Sequence, residues 1–309
     1  MKKLDFFSFQ KVLVAKKNEY DVALLRNGLN GCLAANTLKR LNKIVISYLG
    51  YDALVYKFAK HTISGYLEGI AWCILEKNKM KKGDYAHYCA DYLKTRYPSK
   101  VEGLVCPNVE IEVVDDNLKN RIKRYKDSLN CSRIGMIATL NYYKGIDTAI
   151  KSMSLLPSEF MLEIVGSGEK KQYEETARKY HVEDRVIFKG YYSNARDLNE
   201  WIRSIDIYIQ PSLSEGLPRA AIEAMSMACP LIVSNTIGVS SWIDKEWHIN
   251  PRDYETLAEK IKLMSSDKNI LIHQAEENFE KAKMFSPEKR RKKMDEYYKR
   301  FKDYTREEA

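Results

Sequence analysis

The 309-residue chain has six cysteines, but no two of them stand at C-x-x-C spacing. Zinc sites and disulfide frameworks are recognised by regular cysteine spacing, so the sequence excludes both as organising features. We predict instead that the cysteines are reduced and pack as small apolar side chains. The chain also lacks an uninterrupted apolar run of about 18 residues, which excludes a membrane-spanning helix.

The amino terminus lacks the features of a secretory signal peptide. Its start is basic, but Asp5, Gln10 and Lys11 interrupt the apolar stretch that would have to follow. Internal repeats and low-complexity tracts are missing as well. With 45% hydrophobic and 30% charged residues, the composition is typical of a folded globular chain, and the length suits two α/β domains. We therefore predict a cytoplasmic protein without extensive disorder.

The formal net charge of +9 indicates an anionic partner or surface. Nucleic acid, diphosphate groups and acidic lipid headgroups all carry the complementary sign. A basic surface that is merely solvated agrees with this charge equally well. The charge alone therefore leaves the partner open.

In the second half of the chain, short apolar runs rich in β-branched residues alternate with longer amphipathic stretches. This pattern is typical of a parallel sheet flanked by helices. The predicted strands are Arg133–Leu140, Phe160–Val165, Arg185–Lys189, Ile205–Gln210 and Pro230–Ser234. The predicted helices are Gly145–Leu156, Lys170–His181, Ala195–Ser204, Arg219–Ala228, Tyr254–Ser266 and Ile270–Lys283. We interpret this half as one doubly wound α/β domain.

The first half is shorter and less regular. Its predicted strands are Asp21–Leu25, Lys43–Tyr48, Tyr85–Cys89 and Gly103–Cys106, and its predicted helices are Leu33–Leu41 and Ala53–Asn78. Acidic and basic residues are interspersed in the polar segment 110–130, so we predict a surface helix and linker there, not a nucleic-acid-binding arm. The predicted domains are 1–128, joined by the last helix 286–306, and 129–285.

The last helix has a clear start signal, with Ser286 as N-cap and Pro287 at the first helical position. Apolar and aromatic residues recur in it at three- and four-residue spacing: Met294, Tyr297, Tyr298, Phe301 and Tyr304. Its first turns carry the basic run 289–293. Two interpretations stay open, a docked helix with a solvated basic face and a peripheral contact with an acidic membrane surface at the inner face of the membrane.

The segment 205–218 combines a strand, a loop and the start of a helix. An apolar strand is followed by a Ser/Gly loop, and Pro218 begins the helix. Open α/β sheets bind ligands at the carboxyl ends of their strands, and the amides of a helix N-terminus suit a diphosphate. Glu215 in the loop and Glu223 in the helix could contact opposite ends of an extended ligand such as a sugar nucleotide. Either glutamate alone would more often be an ordinary surface residue.

With these residues, the stretch PSLSEGLPRAAIEAMSMACPLIVSNTIG resembles the E-x7-E segment of retaining glycosyltransferases, family 4 and its GT-B relatives. Other stretches resemble further elements of that family in the same order over residues 131–305: residues 137–145, 162–168, 186–190 and 285–289. The resemblance implies an α/β protein of the GT-B class, with two Rossmann-like domains facing each other across a cleft. The C-terminal domain would be complete and the N-terminal domain truncated.

The resemblance also implies roles for individual residues. Glu215 and Lys144 would be catalytic, because Glu215 would contact the donor sugar and Lys144 would neutralise the diphosphate as negative charge develops on it. Glu223 would hydrogen-bond the ribose hydroxyls. The other donor-binding residues would be Gly216, Leu217, Pro218, Gly166, Ser167, Phe188, Lys189 and Arg219. Transfer would retain anomeric configuration without a cofactor or a metal, and the sequence has no Cys/His cluster at metal-site spacing.

One departure from the family pattern concerns the diphosphate. Thr139 stands where the family has an arginine that clamps the diphosphate together with the lysine matched by Lys144. A threonine cannot replace the fork of a guanidinium group. Either the affinity for the donor phosphate is lower or another cation substitutes, and Arg219, close to the predicted helix N-terminus, is the candidate.

A second departure concerns the acceptor side. Leu49 replaces a family histidine that lies near the donor sugar, beside the acceptor-side residues Gly50 and Asp52. His61 could compensate only if its helix brings it back to the site, and it is otherwise a plain histidine on a helix surface. The opening strand and glycine-rich loop of the family are not matched. The acceptor side is therefore expected to be small, supplied by another subunit or inactive.

These patterns predict a hexosyltransferase-type glycosyltransferase that moves a sugar from a UDP- or GDP-sugar to a saccharide or lipid-linked acceptor, with retention, in bacterial surface polysaccharide synthesis. The alternative is a non-catalytic GT-B-like partner subunit of another glycosyltransferase. Nucleic acid is not expected as a partner, because no basic-aromatic recognition module is present and the basic run lies on one helix.

Overall fold

The computed structural model describes residues 6–53, 62–127, 130–236 and 243–307. The chain forms two compact units, Met1–Asn108 with Arg290–Ala309, and Val109–Lys289. We refer to them as unit 1 and unit 2. Unit 2 begins before the boundary at 128/129 that the sequence suggests, because the helix predicted as a surface linker belongs to it.

Unit 1 contains one parallel sheet with the strand order β1-β2-β3-β4. Its strands are β1 (Val22–Leu25), β2 (Ile44–Leu49), β3 (Tyr85–Tyr88) and β4 (Gly103–Val105). Its helices include α1 (Phe6–Ala15), α2 (Leu29–Arg40), α3 (Ile63–Lys82) and α4 (Asp91–Arg96). A helical crossover therefore joins each strand to the next along the chain, as parallel pairing requires. Helices α1 and α4 are not predicted from the sequence, and the predicted helical residues 54–61 lie outside the described part of the chain.

Unit 2 contains a six-stranded parallel sheet with the order β10-β9-β8-β5-β6-β7. Its strands are β5 (Arg133–Ile137), β6 (Met161–Val165), β7 (Val186–Gly190), β8 (Ile207–Gln210), β9 (Leu231–Ser234) and β10 (His248–Ile249). Its helices are α5 (Asp115–Asp127), α6 (Ile146–Met153), α7 (Lys171–Lys179), α8 (Ala195–Ser204), α9 (Arg219–Ser226), α10 (Tyr254–Ser266) and α11 (Lys268–Ala282). The two parallel sheets confirm the predicted α/β fold class. Strand β10 is not predicted because two residues are too short to show a pattern.

Helix α5 is not a plain surface helix, although its sequence is strongly polar. The guanidinium group of Arg121 is buried and donates hydrogen bonds to the carbonyls of Ile202, at 2.9 Å, and Met227, at 3.3 Å. The hydroxyl of the buried Tyr125 donates to the carbonyl of Asp206 at 2.7 Å. Interspersed charges predict a solvated helix face when no hydrogen-bond acceptors of other elements lie against that face. Here the backbone carbonyls at the ends of neighbouring elements accept hydrogen bonds from Arg121 and Tyr125, so this face is buried.

The last helix, α12 (Pro287–Glu307), uses one aromatic face to pack within unit 1. The ring of Tyr85 forms T-shaped pairs with those of Tyr297 and Phe301, whose centroids lie 5.8 and 4.9 Å away. The hydroxyl of Tyr297 donates to the carbonyl of Ala86 at 3.3 Å. Tyr298, in contrast, is 44% exposed, and the side chain of Tyr304 lies outside the described residues. In the parts of the chain that the structure describes, no helix has the length and hydrophobicity to cross a bilayer.

No disulfide joins any of the six cysteines, all of which lie in the described ranges, and five of them are buried. Burial raises the pKa of Cys89 to about 12 and that of Cys32 to about 12. Both thiols are therefore protonated near neutral pH, which removes the thiolate that oxidation and disulfide exchange require.

A buried carboxylate ties four elements of unit 2 together, namely β5, β6, β7 and α8. Glu163 on β6 accepts a hydrogen bond at Oε1 from Arg133 Nη2 at 2.6 Å and one at Oε2 from the Trp201 indole at 2.9 Å. Lys189 Nζ lies 3.8 Å from Oε2. Burial opposes ionisation, but the hydrogen bonds and charges of these neighbours outweigh it and lower the pKa of Glu163. The ionised carboxylate therefore stabilises the folded state.

Substitution of Glu163 by glutamine is expected to lower the free energy of unfolding by about 1–2 kcal/mol at neutral pH, a value discounted because Arg133 is partly exposed. Because the folded-state pKa lies below the unfolded one, this contribution is present above the unfolded pKa and is lost as the pH falls through the folded pKa. Urea melts from pH 7 to pH 3 should show the two proteins converging at the acidic end. A constant difference across that range would contradict the assignment.

Candidate active site

A cavity of about 400 Å³ opens in unit 2 where strands β5 and β8 end. Its lining residues are Ile137, Ala138, Thr139, Tyr143, Lys144, Gln210, Glu215, Leu217, Pro218, Arg219, Ala220 and Glu223. Both strands are parallel neighbours, so their carboxyl ends meet at one edge of the sheet. Ligands of open α/β sheets bind at this edge. Two cations and two carboxylates therefore share the cavity expected to hold a ligand.

Backbone contacts between two loops bring Lys144 to Glu215. The short helical turn Tyr142–Lys144 ends at Gly145, which has a φ of +71°. A Cβ atom at Gly145 would lie 1.8 Å from the carbonyl oxygen of Pro211, so only glycine allows this approach. The amide of Leu213 then donates to the carbonyl of Tyr143 at 2.7 Å. The loop that carries Glu215 is thereby fixed against the turn that carries Lys144.

One oxygen of Glu215 accepts hydrogen bonds from three donors. Lys144 Nζ lies 2.8 Å from Oε1, the Ser212 hydroxyl 2.7 Å and Gln210 Nε2 3.1 Å. The Glu215 side chain is 8% exposed and the Lys144 side chain 19%. Such a carboxylate is held in one position, because three donors, one of them charged, define the place of its oxygen.

A second layer of side chains supports this arrangement. The hydroxyl of Tyr208 accepts from the amide of Ile137 at 3.4 Å and donates to Oε1 of Gln210 at 2.7 Å, while Gln210 Nε2 also donates to Ser212 Oγ at 2.8 Å. Burial raises the pKa of Tyr208 well above its ordinary value, so the phenol keeps the proton it donates. Sequence reasoning missed Tyr208, Gln210 and Ser212. The polar Gln210 at the end of an apolar strand is the signal that could have revealed them.

Glu223 is paired with Arg219 at the start of α9. Arg219 Nε lies 2.8 Å from Glu223 Oε1, and the arginine side chain is 68% exposed. No side chain caps the helix at Pro218. The long, exposed side chain of Arg219 and a helix N-terminus without a side-chain cap thus lie beside the Glu223 carboxylate. Arg219 and the exposed Thr139 both line the cavity, and the role of Arg219 as a substitute cation stays a prediction.

The glycine turn after β6 is required by the chain itself. Gly166 has a φ of +151°, and a Cβ atom there would lie 1.8 Å from the carbonyl oxygen of Ala138. The carbonyl of Ser167 accepts from the amide of Leu140 at 2.8 Å. Gly166 and Ser167 therefore hold this turn against the segment that follows β5. This close approach explains Gly166 without a ligand, and its predicted nucleotide contact stays a prediction.

The other predicted donor-side residues occupy different positions. Leu217 and Pro218 line the cavity, whereas Gly216 lies between lining residues without being one of them. Phe188 and Lys189 lie on the edge strand β7, where the ammonium group of Lys189 faces Glu163. Their side chains do not line the cavity. The predicted contacts of their backbone with a base stay predictions.

On the acceptor side, the structure gives the predicted residues structural partners in unit 1. Asp52 is buried, accepts a hydrogen bond from the Tyr97 hydroxyl at 2.6 Å and lies 3.4 Å from Arg96 Nε. The amide of Gly50 donates to Asn27 Oδ1 at 2.6 Å. Leu49 is fully buried in the core, so it fills space and offers no polar group to a ligand. His61 lies outside the described residues.

The residues that could hold a cofactor are few. Across the described ranges, no group of three or more His, Cys, Asp and Glu residues is arranged to hold a metal ion. Within the cavity, each carboxylate faces a cation, Glu215 facing Lys144 and Glu223 facing Arg219. This arrangement can bind an anion by releasing a cation from its carboxylate, and it can accept hydrogen bonds from hydroxyl groups.

The model of the family described as glycosyl transferases group 1 matches residues 120–300. The chain belongs to this family. The match covers the whole cavity, from β5 to α9, and extends into α12. The cavity that contains Lys144, Glu215 and Glu223 therefore lies within the part of the chain that matches the group 1 family.

One curated relative agrees with this membership. The group 1 chain is 34% identical over 260 residues to Protein CapJ of Staphylococcus aureus, across 82% of this chain and 64% of CapJ. The match thus spans less than two-thirds of that relative's length.

Solved structures show the fold. Sucrose-phosphate synthase from Thermosynechococcus elongatus superposes with a TM-score of 0.79 at 19% identity, over 98% of this chain and 80% of that one. Anabaena HepE, solved in complex with UDP-glucose, gives a TM-score of 0.75 at 16% identity, over 94% and 82%. The predicted GT-B fold class is confirmed by these likenesses.

Proposed function

We propose that the chain transfers a sugar from a nucleotide-sugar donor bound in the cavity of unit 2. The observation that carries this proposal is the Lys144–Glu215 contact of 2.8 Å inside a cavity that also holds Arg219 and Glu223. A sugar nucleotide has an anionic diphosphate between two polyol groups, and the cavity offers cations beside hydroxyl-accepting carboxylates. That HepE was solved with UDP-glucose agrees with a donor of this class.

The chemistry follows from the charges. The bond between the anomeric carbon and the diphosphate oxygen breaks, the bond to an acceptor oxygen forms, and the acceptor proton leaves with the nucleoside diphosphate or solvent. Negative charge develops on the departing diphosphate, where the ammonium group of Lys144 would stabilise it. Donor binding would draw Lys144 from Glu215 and Arg219 from Glu223. We propose retention of anomeric configuration, as the E-x7-E resemblance implies.

The two carboxylates would then accept hydrogen bonds from hydroxyl groups. Glu215 would hold a hydroxyl of the donor sugar, because Gln210 and Ser212 keep its carboxylate in place after Lys144 has moved. Glu223 would hold the ribose hydroxyls once Arg219 turns to the diphosphate. Carboxylate bonds to two adjacent hydroxyls favour a ribose over a deoxyribose, since the latter would leave one acceptor unpaired.

For the acceptor, we propose a saccharide or lipid-linked saccharide, bound by unit 1, in the synthesis of a bacterial surface polysaccharide. The exposed basic residues Lys289, Arg291, Lys292 and Lys293 at the start of α12 support an acidic membrane surface nearby. Unit 2 would bind the donor. We thus propose that unit 1 is the acceptor domain and unit 2 the donor domain.

A non-catalytic partner subunit is the second candidate, and one observation favours it. Leu49 and Asp52 stand where acceptor-side groups are expected, but one is buried in the core and the other is engaged by Tyr97 and Arg96. A chain of this kind would bind the nucleotide without transferring the sugar.

Incubation of the purified chain with a panel of UDP- and GDP-sugars separates the two candidates. We expect sugar transfer or donor hydrolysis with at least one donor, stimulated by a membrane extract. The stereochemistry of the product, read by NMR from the anomeric coupling, tests retention. Nucleotide binding without turnover under all these conditions would favour the partner subunit, and inversion would contradict the retaining mechanism.

Thr139→Arg is expected to restore a diphosphate clamp and to raise the affinity for a nucleoside diphosphate by about three- to tenfold, because a guanidinium group would face the anion at an exposed edge of the cavity. Arg219→Ala should have the opposite effect. Calorimetric titration checks both, with Thr139→Leu as the uncharged control. Unchanged affinity in Arg219→Ala would exclude Arg219 as the substitute cation, and unchanged affinity in Thr139→Arg would exclude position 139 as part of a diphosphate clamp.

A further inference from the structure

Helix α3 presents an apolar stripe to solvent. Ile63 is 83% exposed, Leu67 60%, Ile70 39% and Ile74 55%. These residues recur at four-, three- and four-residue steps, so they lie on one face of the helix, over about three turns. Single exposed apolar residues are ordinary, but four in one row form a continuous surface. We refer to these four residues as the α3 stripe.

The opposite face fixes the helix on unit 1. Gly65 and Gly69 are buried and let the α3 backbone pack closely, and the N-cap Thr62 accepts from the amide of Gly65 at 3.1 Å. Further along, Glu76 and Lys79 are buried and lie 2.5 Å apart. Rotating α3 to hide the stripe would expose this ion pair and its hydrogen bonds. The stripe therefore stays outward.

The stripe continues into basic residues on the same face. Lys77 and Lys81 follow Ile74 at three- and four-residue steps, and both are exposed. Lys79 Nζ, in contrast, donates inward to the carbonyl of Tyr48 at 2.9 Å, so the lysines of α3 are divided between the core and this face. One face of α3 is thus apolar over three turns and cationic beyond them.

We propose that the α3 stripe docks on a membrane surface that contains anionic lipids. Ile and Leu side chains would enter the boundary between headgroups and acyl chains, and Lys77 and Lys81 would reach the lipid phosphates. The chain's charge of +9 has the complementary sign. A protein interface of standard size uses roughly 20–30 residues a side, so four side chains and two lysines are too few to hold a second protein alone. A bilayer surface, in contrast, can be bound by these six side chains without contacts from further residues of the chain.

Vesicle sedimentation with the full chain tests this proposal. Vesicles of phosphatidylcholine with phosphatidylglycerol should bind the wild type, and pure phosphatidylcholine should bind it less. Replacing the α3 stripe by serines should lower the apparent vesicle affinity by about tenfold or more, and Lys77→Glu with Lys81→Glu should lower it by a similar factor. The matched control is Leu263→Ser with Lys262→Glu, which alters exposed residues of unit 2 and should bind as the wild type does.

A tryptophan at one position of the α3 stripe gives a second, independent readout of docking. Ile63→Trp provides a readout at a single exposed position, because its indole should shift to shorter emission wavelengths with anionic vesicles. Absence of that shift, or full vesicle binding by the serine variant, would overturn the proposal. Vesicle binding that is lost only when Lys289, Arg291 and Lys292 of α12 are replaced by glutamate would also overturn the proposal. Self-association that disappears with the serines, without vesicle binding, would indicate a second copy instead.

Discussion

Replacing Lys144 by alanine is expected to lower kcat for sugar transfer or donor hydrolysis by about 10²–10³-fold, the usual effect of removing one preorganised charge from a developing anion. Lys144 is the cation that backbone contacts hold in the cavity, through Gly145 and the hydrogen bond between Leu213 and Tyr143. Among the described residues that line the cavity, Lys144 is the single lysine. Steady-state kinetics with the donor found in the screen measures the effect.

The kinetic parameters of Lys144→Ala distinguish stabilisation of the developing charge from simple binding of the donor. The affinity for the nucleoside diphosphate should fall less than kcat, because the departing diphosphate carries more charge than the bound donor. Lys170→Ala removes an exposed lysine that pairs with Glu174 and serves as the control. A Lys144→Ala variant that raises KM and leaves kcat unchanged would assign Lys144 to ground-state binding only.

Replacing Glu215 by glutamine is expected to lower kcat by about a hundredfold while leaving nucleoside diphosphate affinity unchanged or raised. In the wild type, Oε1 accepts from Lys144, Gln210 and Ser212. A neutral amide weakens all three hydrogen bonds and releases Lys144, which is then available to the diphosphate before any exchange. The carboxylate that orients the sugar is lost at the same time.

Stability provides a second readout for Glu215→Gln. Loss of the charge from the three hydrogen bonds should lower the free energy of unfolding by about 1–3 kcal/mol. The exposed Glu159→Gln is the matched control. Because Lys144 and Glu215 are in contact, the effects of the two substitutions should not add in the double variant. Additive effects on kcat, or loss of diphosphate affinity in Glu215→Gln, would contradict the geometry.

Much of the fold could be predicted because its strands are buried on both faces. Leu231–Ser234 and Ile207–Gln210 are completely buried, and such strands appear in the sequence as continuous apolar runs between amphipathic helices. Helix α8 shows the same agreement, since its predicted and observed bounds coincide. Short elements such as α4 and β10 could not be found, because six and two residues do not establish a period.

The site was less accessible to sequence reasoning because its contacts are distant along the chain. Lys144 and Glu215 are 71 residues apart, and a motif match places each residue without showing that they touch. Asp52 shows what a motif match leaves out. Its place in a family-like stretch indicates an acceptor contact, yet its carboxylate is buried against Tyr97 and Arg96. Motifs identify positions, whereas side-chain partners depend on the packing around them.

The donor site itself is tested most directly by calorimetric titration of the purified chain with a panel of nucleoside diphosphates, for the wild type and Glu223→Ala. We expect at least one of UDP and GDP to bind the wild type. Loss of the Glu223 carboxylate should weaken that binding by about 10–100-fold, as hydrogen bonds from ribose hydroxyls to a charged group imply. Failure of every nucleoside diphosphate to bind, or identical affinity in the wild type and Glu223→Ala, would contradict a nucleotide-sugar site in unit 2.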